Sequence, residues 1–470
     1  MGFILFGYDD GVIGGLLTAP SFEDQFHLGS TMQGTVTSLF IAGAFCGCMA
    51  SAVMNGRWGR KTIAHAGALV LSLGAIIQCS SYGIAQLLVG RIVAGVGLGL
   101  IVSNIIMWQS EISPNHIRGL LVASALSFLI LGQLIAYWLE YGISNYASSF
   151  SWRFPMAFQA ALALMTSGLL LCMPESPRYL FQQDKHQEAT EVLRLLYTHR
   201  GIVNENGLRS TITEITEAIA IESHQATWSD LSRDDNAWSG STPVSYYTTY
   251  IFENSVGLSY STSLLLSGIL QVWFLVASFG TWYTIEKFGR RISFMFTATG
   301  MAIVMAVLAA MIAVDTKASG IVGAGMIFLY QAFYTWGFMG GIWVYGPEIM
   351  PLAHRAKGEG LATASLWLSA FVVVEIVPVA ITHIGWRVYL IFACCNLAFV
   401  PFVYFFLPET AGLTLESIDL CFMDTTTTPV KKASELRQLM KRGGEVTLDQ
   451  AFEAEKHGQI SAHVEHATSV

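Results

Sequence analysis

Five ionisable residues lie inside long apolar runs of this chain, Asp9, Asp10, Arg91, Glu140 and Glu375, and a sixth, Glu253, lies near the end of another. A charge held in mid-bilayer costs at least about 2.5–3.5 kcal/mol, so such residues need partners, and they commonly mark proton relays or substrate paths. A second set of charges is periodic. Glu111 and Arg118, then Glu348 and Arg355, repeat an acid-then-base spacing of seven between apolar runs. Other chemistry finds no support. Gly95, Gly97 and Gly99 lie within an apolar run rather than after a strand, so small-residue helix packing explains them better than a nucleotide loop. There is no P-loop, no His/Cys metal cluster and no nucleophile paired with a base; His65 and His383 are isolated. No cofactor or metal is expected, and the chain does not read as an enzyme.

The elements that carry these residues are long and apolar. Hydrophobic residues make up 53% of the 470 and charged residues only 12%. A soluble domain averages about 25% charged residues, so this chain has too few to coat a water-facing surface. The net charge of −8 argues against a nucleic-acid partner. Six of the seven cysteines, Cys46, Cys48, Cys79, Cys172, Cys394 and Cys395, lie in apolar runs and read as packing residues rather than a disulfide framework. No cleavable signal peptide is visible. One pattern occurs twice. A charged turn, Gly56-Arg57-Trp58-Gly59-Arg60-Lys61 and then Glu286-Lys287-Phe288-Gly289-Arg290-Arg291, separates apolar runs at two places about 230 residues apart. Two related halves in a membrane are a common way to build a substrate path between them.

A span needs about 20 apolar residues. Full-length candidates fall at about 34–54, 62–82, 85–108, 120–142, 153–173, 262–285, 292–314, 319–346, 360–382 and 386–407. Two shorter runs, 1–18 and 238–252, bring the count to twelve, six plus six. The expected architecture is an all-α integral membrane protein. It comprises a six-helix bundle (1–173), a helical linker (174–235), a second six-helix bundle (236–407) and a tail (408–470). Amphipathic patterning predicts a helix over Glu188–Leu196 and another near 210–222. Beyond one or two short helices the tail is expected to be disordered. Arg57, Arg60, Lys61, Arg118, Lys287, Arg290, Arg291, Arg355 and Lys357 all follow even-numbered spans. The excess of basic residues there puts those loops, the linker and the tail in the cytoplasm.

Several motifs together resemble the sugar porter branch of the major facilitator superfamily, most closely its fungal hexose and polyol members. They are Phe6-Gly7-Tyr8-Asp9, Gly90-Arg91, Glu111-Ile112-Ser113-Pro114 through Arg118-Gly119, and Pro174-Glu175-Ser176-Pro177-Arg178. Glu286 through Arg291, Trp343-Val344-Tyr345 with Glu348, Arg355-Ala356-Lys357-Gly358 and Pro408-Glu409-Thr410 complete the set, in family order over about 1–420.

The resemblance implies a major facilitator fold and transport of a sugar or polyol across the plasma membrane by alternating access. It also implies that Asp9 and Arg91 face each other. A carboxylate beside an arginine is ionised, and protonation breaks the pair, so proton symport is expected, with a facilitative uniporter as the alternative. Asp10, beside Asp9, stands where the family commonly has Gln and is turned about 100° away along a helix. Gln133 matches a sugar-contact position, where an amide offers a donor and an acceptor to hydroxyl groups. Trp343 matches an aromatic floor under the sugar ring, and Tyr246 and Tyr247 are candidates to line the outer path. Arg60, Glu111, Arg118, Glu286, Arg290, Glu348 and Arg355 are implied to lock a cytoplasmic gate by ion pairs between the bundles; the plainer reading is surface charge that sets topology. Exposed pairs contribute about 0–1 kcal/mol each, so a gate depends on the network. Gly56 replaces the family's Asp in the first turn.

Other departures bear on the ligand. The family's two glutamines before Trp-Ser-Gly are Asn236-Ala237 here, before Trp238-Ser239-Gly240; its following Ile-Asn is Ser241-Thr242; and its Asn-Trp with a second Asn four residues on reads Leu366-Trp367 with Ala370 in the penultimate span. Ile106-Met107-Trp108 replaces Pro-x-Tyr. Either the ligand is less polar than a hexose or the chain is incomplete. The short first and seventh runs favour a truncated or mis-spliced gene model. A transport-like sugar sensor is a further alternative, although sensors of this shape have longer tails.

Overall fold

The computed structural model describes residues 1–203 and 241–441, apart from positions 56, 113–117, 147, 197, 200, 201, 315, 350–354, 412, 414–417 and 419–427, together with isolated positions between 205 and 216. Seven helices come first: α1 (Gly2–Leu16), α2 (Pro20–Phe26), α3 (Ser30–Met54), α4 (Arg60–Cys79), α5 (Ile84–Ile112), α6 (Arg118–Ile143) and α7 (Phe150–Leu171). A polar segment follows with α8 (Pro177–Gln182), α9 (His186–Leu196) and a two-residue β pair, Thr198–His199 with Ile202–Val203. Then come α10 (Ser241–Asn254), α11 (Tyr260–Phe288), α12 (Arg290–Val314) and α13 (Lys317–Tyr334), the last running through a π-turn (Thr335–Met339) into α14 (Gly340–Ile349). The series closes with α15 (Arg355–Ile384), α16 (Arg387–Phe406) and α17 (Pro429–Lys441).

Ten helices among the described residues are long and apolar enough to cross a membrane: α3 to α7, α11, α12, α13 with its π-turn, α15 and α16. They match the ten full-length runs read from the sequence. A helix satisfies its own backbone groups, which hydrocarbon demands. The two short runs become α1 and α10, completing about twelve spans. Despite its length α1 is central, with every residue from Leu5 to Leu16 buried. α10 is kinked, since Tyr247 has non-helical angles (φ −118°, ψ 23°).

Within the first seven helices α4 and α3 pack on α5, α4 on α7 and α1 on α6; in the second set α12 packs on α13 and α16. Three seams join the sets, α3 with α15, α6 with α11, and α1 with α10. The α1–α6 approach depends on glycine. A Cβ at Gly7 would collide with the Leu129 carbonyl, and one at Gly132 with the Ile4 carbonyl. Backbones this close leave α1 little freedom to slide. The Arg57, Arg60 and Lys61 turn and the Lys287, Arg290 and Arg291 turn lie at one end of the molecule, here the basic end. α1, α6, α10 and α15 run toward the far end, and α3 and α11 start from it.

The predicted linker helix is present as α9, with Ala189 and Leu193 buried against Leu180 and Phe181. The second expected linker helix lies largely outside the described residues. So do Asn236 to Gly240.

Candidate functional site

Asp9 is fully buried on α1 and faces Arg91, also fully buried, on α5; their nearest atoms, Oδ1 and Nη1, are 3.8 Å apart. That is a charge contact rather than a hydrogen bond. Each partner is held separately. Gln159 on α7 donates Nε2 to Asp9 Oδ1 at 2.6 Å. Arg91 donates Nε to the Val36 carbonyl at 3.2 Å and Nη1 to Gln78 Oε1 at 3.5 Å. Its guanidinium also lies over the Phe40 ring, 4.4 Å from the centroid. Asp9 Oδ2 and Arg91 Nη2 have no hydrogen-bond partner, so the pair is incompletely satisfied.

Asp10 turns to other neighbours, as helix geometry requires. Its Oδ1 accepts a 2.6 Å hydrogen bond from the hydroxyl of Tyr246 on α10, across the seam between the two helix sets. Gln133 on α6 also reaches Asp10, is almost fully buried, and leaves its Oε1 without a partner. An unfilled amide beside a carboxylate and a tyrosine can serve hydroxyl groups. Tyr247 is buried as well, donating its hydroxyl to the Val374 carbonyl on α15 at 3.0 Å. Trp343 on α14 is half-buried and packs against the main apolar core. Where the resemblance expects amides on α15, Leu366 is half-buried and Ala370 buried; the family's Trp is kept as Trp367, which is buried with its ring centroid 5.6 Å from that of Phe6.

The gate candidates gather at the basic end in two matching sets. In the first, Arg60 Nε lies 3.4 Å from Glu111 Oε2, Glu111 also accepts from the Ser176 hydroxyl, and Glu175 Oε1 accepts from the backbone N–H of Lys61 (3.1 Å) and Ser176 (3.0 Å). In the second, Arg290 Nη2 lies 2.9 Å from Glu348 Oε1 and Glu348 Oε2 accepts from the Thr410 hydroxyl at 2.6 Å. Glu409 there accepts from the N–H groups of Arg290 (2.9 Å) and Arg291 (3.1 Å). Neither described ion pair crosses between the helix sets. The side chains of Arg118, Glu286 and Arg355 lie outside the described residues.

Sequence reasoning passed over Gln78, Gln159, Glu175 and Glu409. Neutral amides inside apolar helices carry no signal until the helices are placed. Glu175 and Glu409 were visible only as motif letters, not as caps. Glu375 is bound at the far end, accepting from Thr35 (2.9 Å) and from Ser38, both on α3.

The family described as "Sugar (and other) transporter" matches residues 1–422. The Saccharomyces cerevisiae sugar transporter STL1 is 31% identical, over 93% of this chain and 83% of that protein. A quinate permease of Neurospora terricola is 30% identical, over 89% and 86%, and a high-affinity glucose transporter of Kluyveromyces lactis 28%, over 90% and 83%. Among solved structures, the Escherichia coli xylose transporter XylE in a partially occluded inward open conformation superposes with a TM-score of 0.72 at 26% identity, covering 88% of this chain and 97% of that one. XylE described as a proton:xylose symporter, bound to 6-bromo-6-deoxy-D-glucose, gives 0.71 at 26%, covering 89% and 96%. The relatives are transporters and permeases by name, and the chain is a transporter rather than an enzyme. With the duplicated helical fold, the matched motifs and these likenesses together, the chain belongs to the sugar porter family of the major facilitator superfamily.

Proposed function

We propose that this transporter moves a sugar or polyol together with a proton by alternating access, with its basic end, linker and tail on the cytoplasmic side of the plasma membrane. The observation that carries the reading is the loose Asp9–Arg91 contact, buried beside a cross-seam hydrogen bond on the adjacent residue. Ionised Asp9 attracts Arg91 and ties α1 to α5. Protonation removes the attraction, and because Asp10 grips Tyr246, a shift of α1 is felt at the seam between the halves. Gln133, Asp10 and Tyr246 form the polar side of the substrate site, and Trp343 offers an apolar face. The apolar Leu366 and Ala370, in place of two amides, favour a ligand with fewer hydroxyls than a hexose, so a small polyol fits the site better. The gate residues Arg60, Glu111, Arg290 and Glu348 brace each half at the cytoplasmic mouth, and Arg118, Glu286 and Arg355 belong to the same network. The proton:xylose symporter among the structural neighbours supports the coupling.

One proton driven through about 100 mV supplies about 2.3 kcal/mol. At 1.4 kcal/mol per decade that sustains a gradient of roughly forty-fold. The test is uptake of labelled hexoses, pentoses, glycerol, inositol and quinate, at acid and neutral pH, in cells lacking their own carriers. Native protein should accumulate its substrate above the outside level at acid pH. Asp9→Asn should lose accumulation yet keep exchange of labelled for unlabelled substrate. Accumulation that survives this change removes Asp9 from the proton path, and equilibration without accumulation in the native protein makes it a uniporter.

A further inference from the structure

Glu140 takes no part in the scheme above and is, among the described residues, a deeply isolated acid. It lies on α6 one turn before Ile143, near the far end, and is only 3% exposed. Neither carboxylate oxygen has a hydrogen-bond partner, and no ion pair reaches it among the described residues. The space it occupies is made by α1. A Cβ at Gly15 would collide with Glu140 Oε2, and Leu264 of α11 stands 3.0 Å from the same point. Leu264 belongs to the second set of helices. Glu140 is therefore covered by the opposite half of the transporter, across the seam whose parting opens the far mouth.

The titratable groups around it are all acids or phenols. Tyr8 on α1, Tyr137 on its own helix and Tyr260 on α11 sense its charge, and Glu253 of α10 acts on the same Tyr260. Asp10 lies farther down α1 and also acts on Tyr137. Among the described residues nothing positive faces it. A carboxylate sealed without donor or cation loses its hydration for no return, whereas a carboxyl group that keeps its proton does not. Once α11 withdraws, water reaches the group and the ionised form is again favoured.

We propose that Glu140 is a second proton-binding site, loaded when the far ends of the two halves close over it and emptied when they part. The proton comes from the far-side solution and returns to it, so this site gates and does not drive. Acid on that side favours the closed far mouth. The inference rests on alternating access but not on Asp9 coupling, and it holds equally in a uniporter.

The experiment uses the full chain in liposomes, with spin labels at His27→Cys and His383→Cys, both exposed at the far end, and all native cysteines changed to serine. Every variant also carries Asp9→Asn, which separates the outcome from the symport reading. With Glu140 present, the closed-to-open ratio should rise by up to about tenfold for each unit fall in pH, the linkage of one proton. Glu140→Gln should lose that slope and stay closed, while Glu140→Asp should keep it. Asp10 and Glu253 titrate in all variants, so the difference belongs to Glu140. In parallel, the infrared C=O band of a protonated carboxyl should be present with Glu140 and lost with Glu140→Gln. An equal slope in the Gln variant, or an unchanged infrared band, overturns the proposal.

Discussion

Asp9 and Asp10 are neighbours in sequence yet serve different contacts, one with Arg91 inside the first set of helices and one with Tyr246 across the seam. This division follows from the helix: successive side chains point about 100° apart. A hydrogen bond contributes about 0.5–1.5 kcal/mol between neutral groups and about 1.5–3 kcal/mol to an ionised one, so the Tyr246–Asp10 bond is strong enough to bias the contact between halves. Tyr246→Phe keeps the ring and removes only the donor. In a double-mutant cycle on thermal stability, Tyr246→Phe and Asp10→Ala should couple by about 0.5–3 kcal/mol. Agreement of the double variant with the sum of the singles, within about 0.3–0.5 kcal/mol, would show that the two residues act independently. That Asp10 faces away from Asp9 was legible from residue spacing. Its partner was not, because Tyr246 lies 236 residues away and no local pattern joins them.

At the scale of elements, the duplicated motifs prove to be duplicated hardware. Glu175 caps the start of α4 and Glu409 the start of α12, each accepting N–H groups at a helix end that has no internal partners for them. Their negative charge also suits the positive end of a helix. Losing such a cap costs about 0.5–2 kcal/mol. Glu175→Ala and Glu409→Ala should each lower unfolding stability in detergent by that amount, and a loss in one half alone would break the equivalence. The spans themselves were legible because hydropathy accumulates along a run of 20 residues. The capping roles were hidden because they join residues 114 and 119 positions apart. The kink at Tyr247 was hidden as well, since no local pattern marks that residue, whose hydroxyl is bonded to the Val374 carbonyl on α15.

At the scale of the whole molecule, the seams decide how the halves can move. The halves are held together by side-chain bonds at two seams, Tyr246 to Asp10 and, toward the far end, Glu375 to Thr35 and Ser38. Beside Glu375 the two backbones nearly touch, since a Cβ at Gly34 would stand 2.7 Å from the Glu375 carbonyl oxygen. That contact exists only while α3 and α15 are together at this end. Gly34→Leu should therefore act on one state and spare the other, wedging the far mouth open without unfolding either half. Overpacking of this kind costs about 1–3 kcal/mol, which displaces a two-state balance by roughly 5- to 150-fold. Spin labels at positions 27 and 383 should report the longer distance at every pH, and net uptake should fall by a similar factor. Uptake at the native rate despite the longer distance would mean that closing this seam is no part of the cycle, and the rocking of the two halves would have to be sought along α6 and α11 instead.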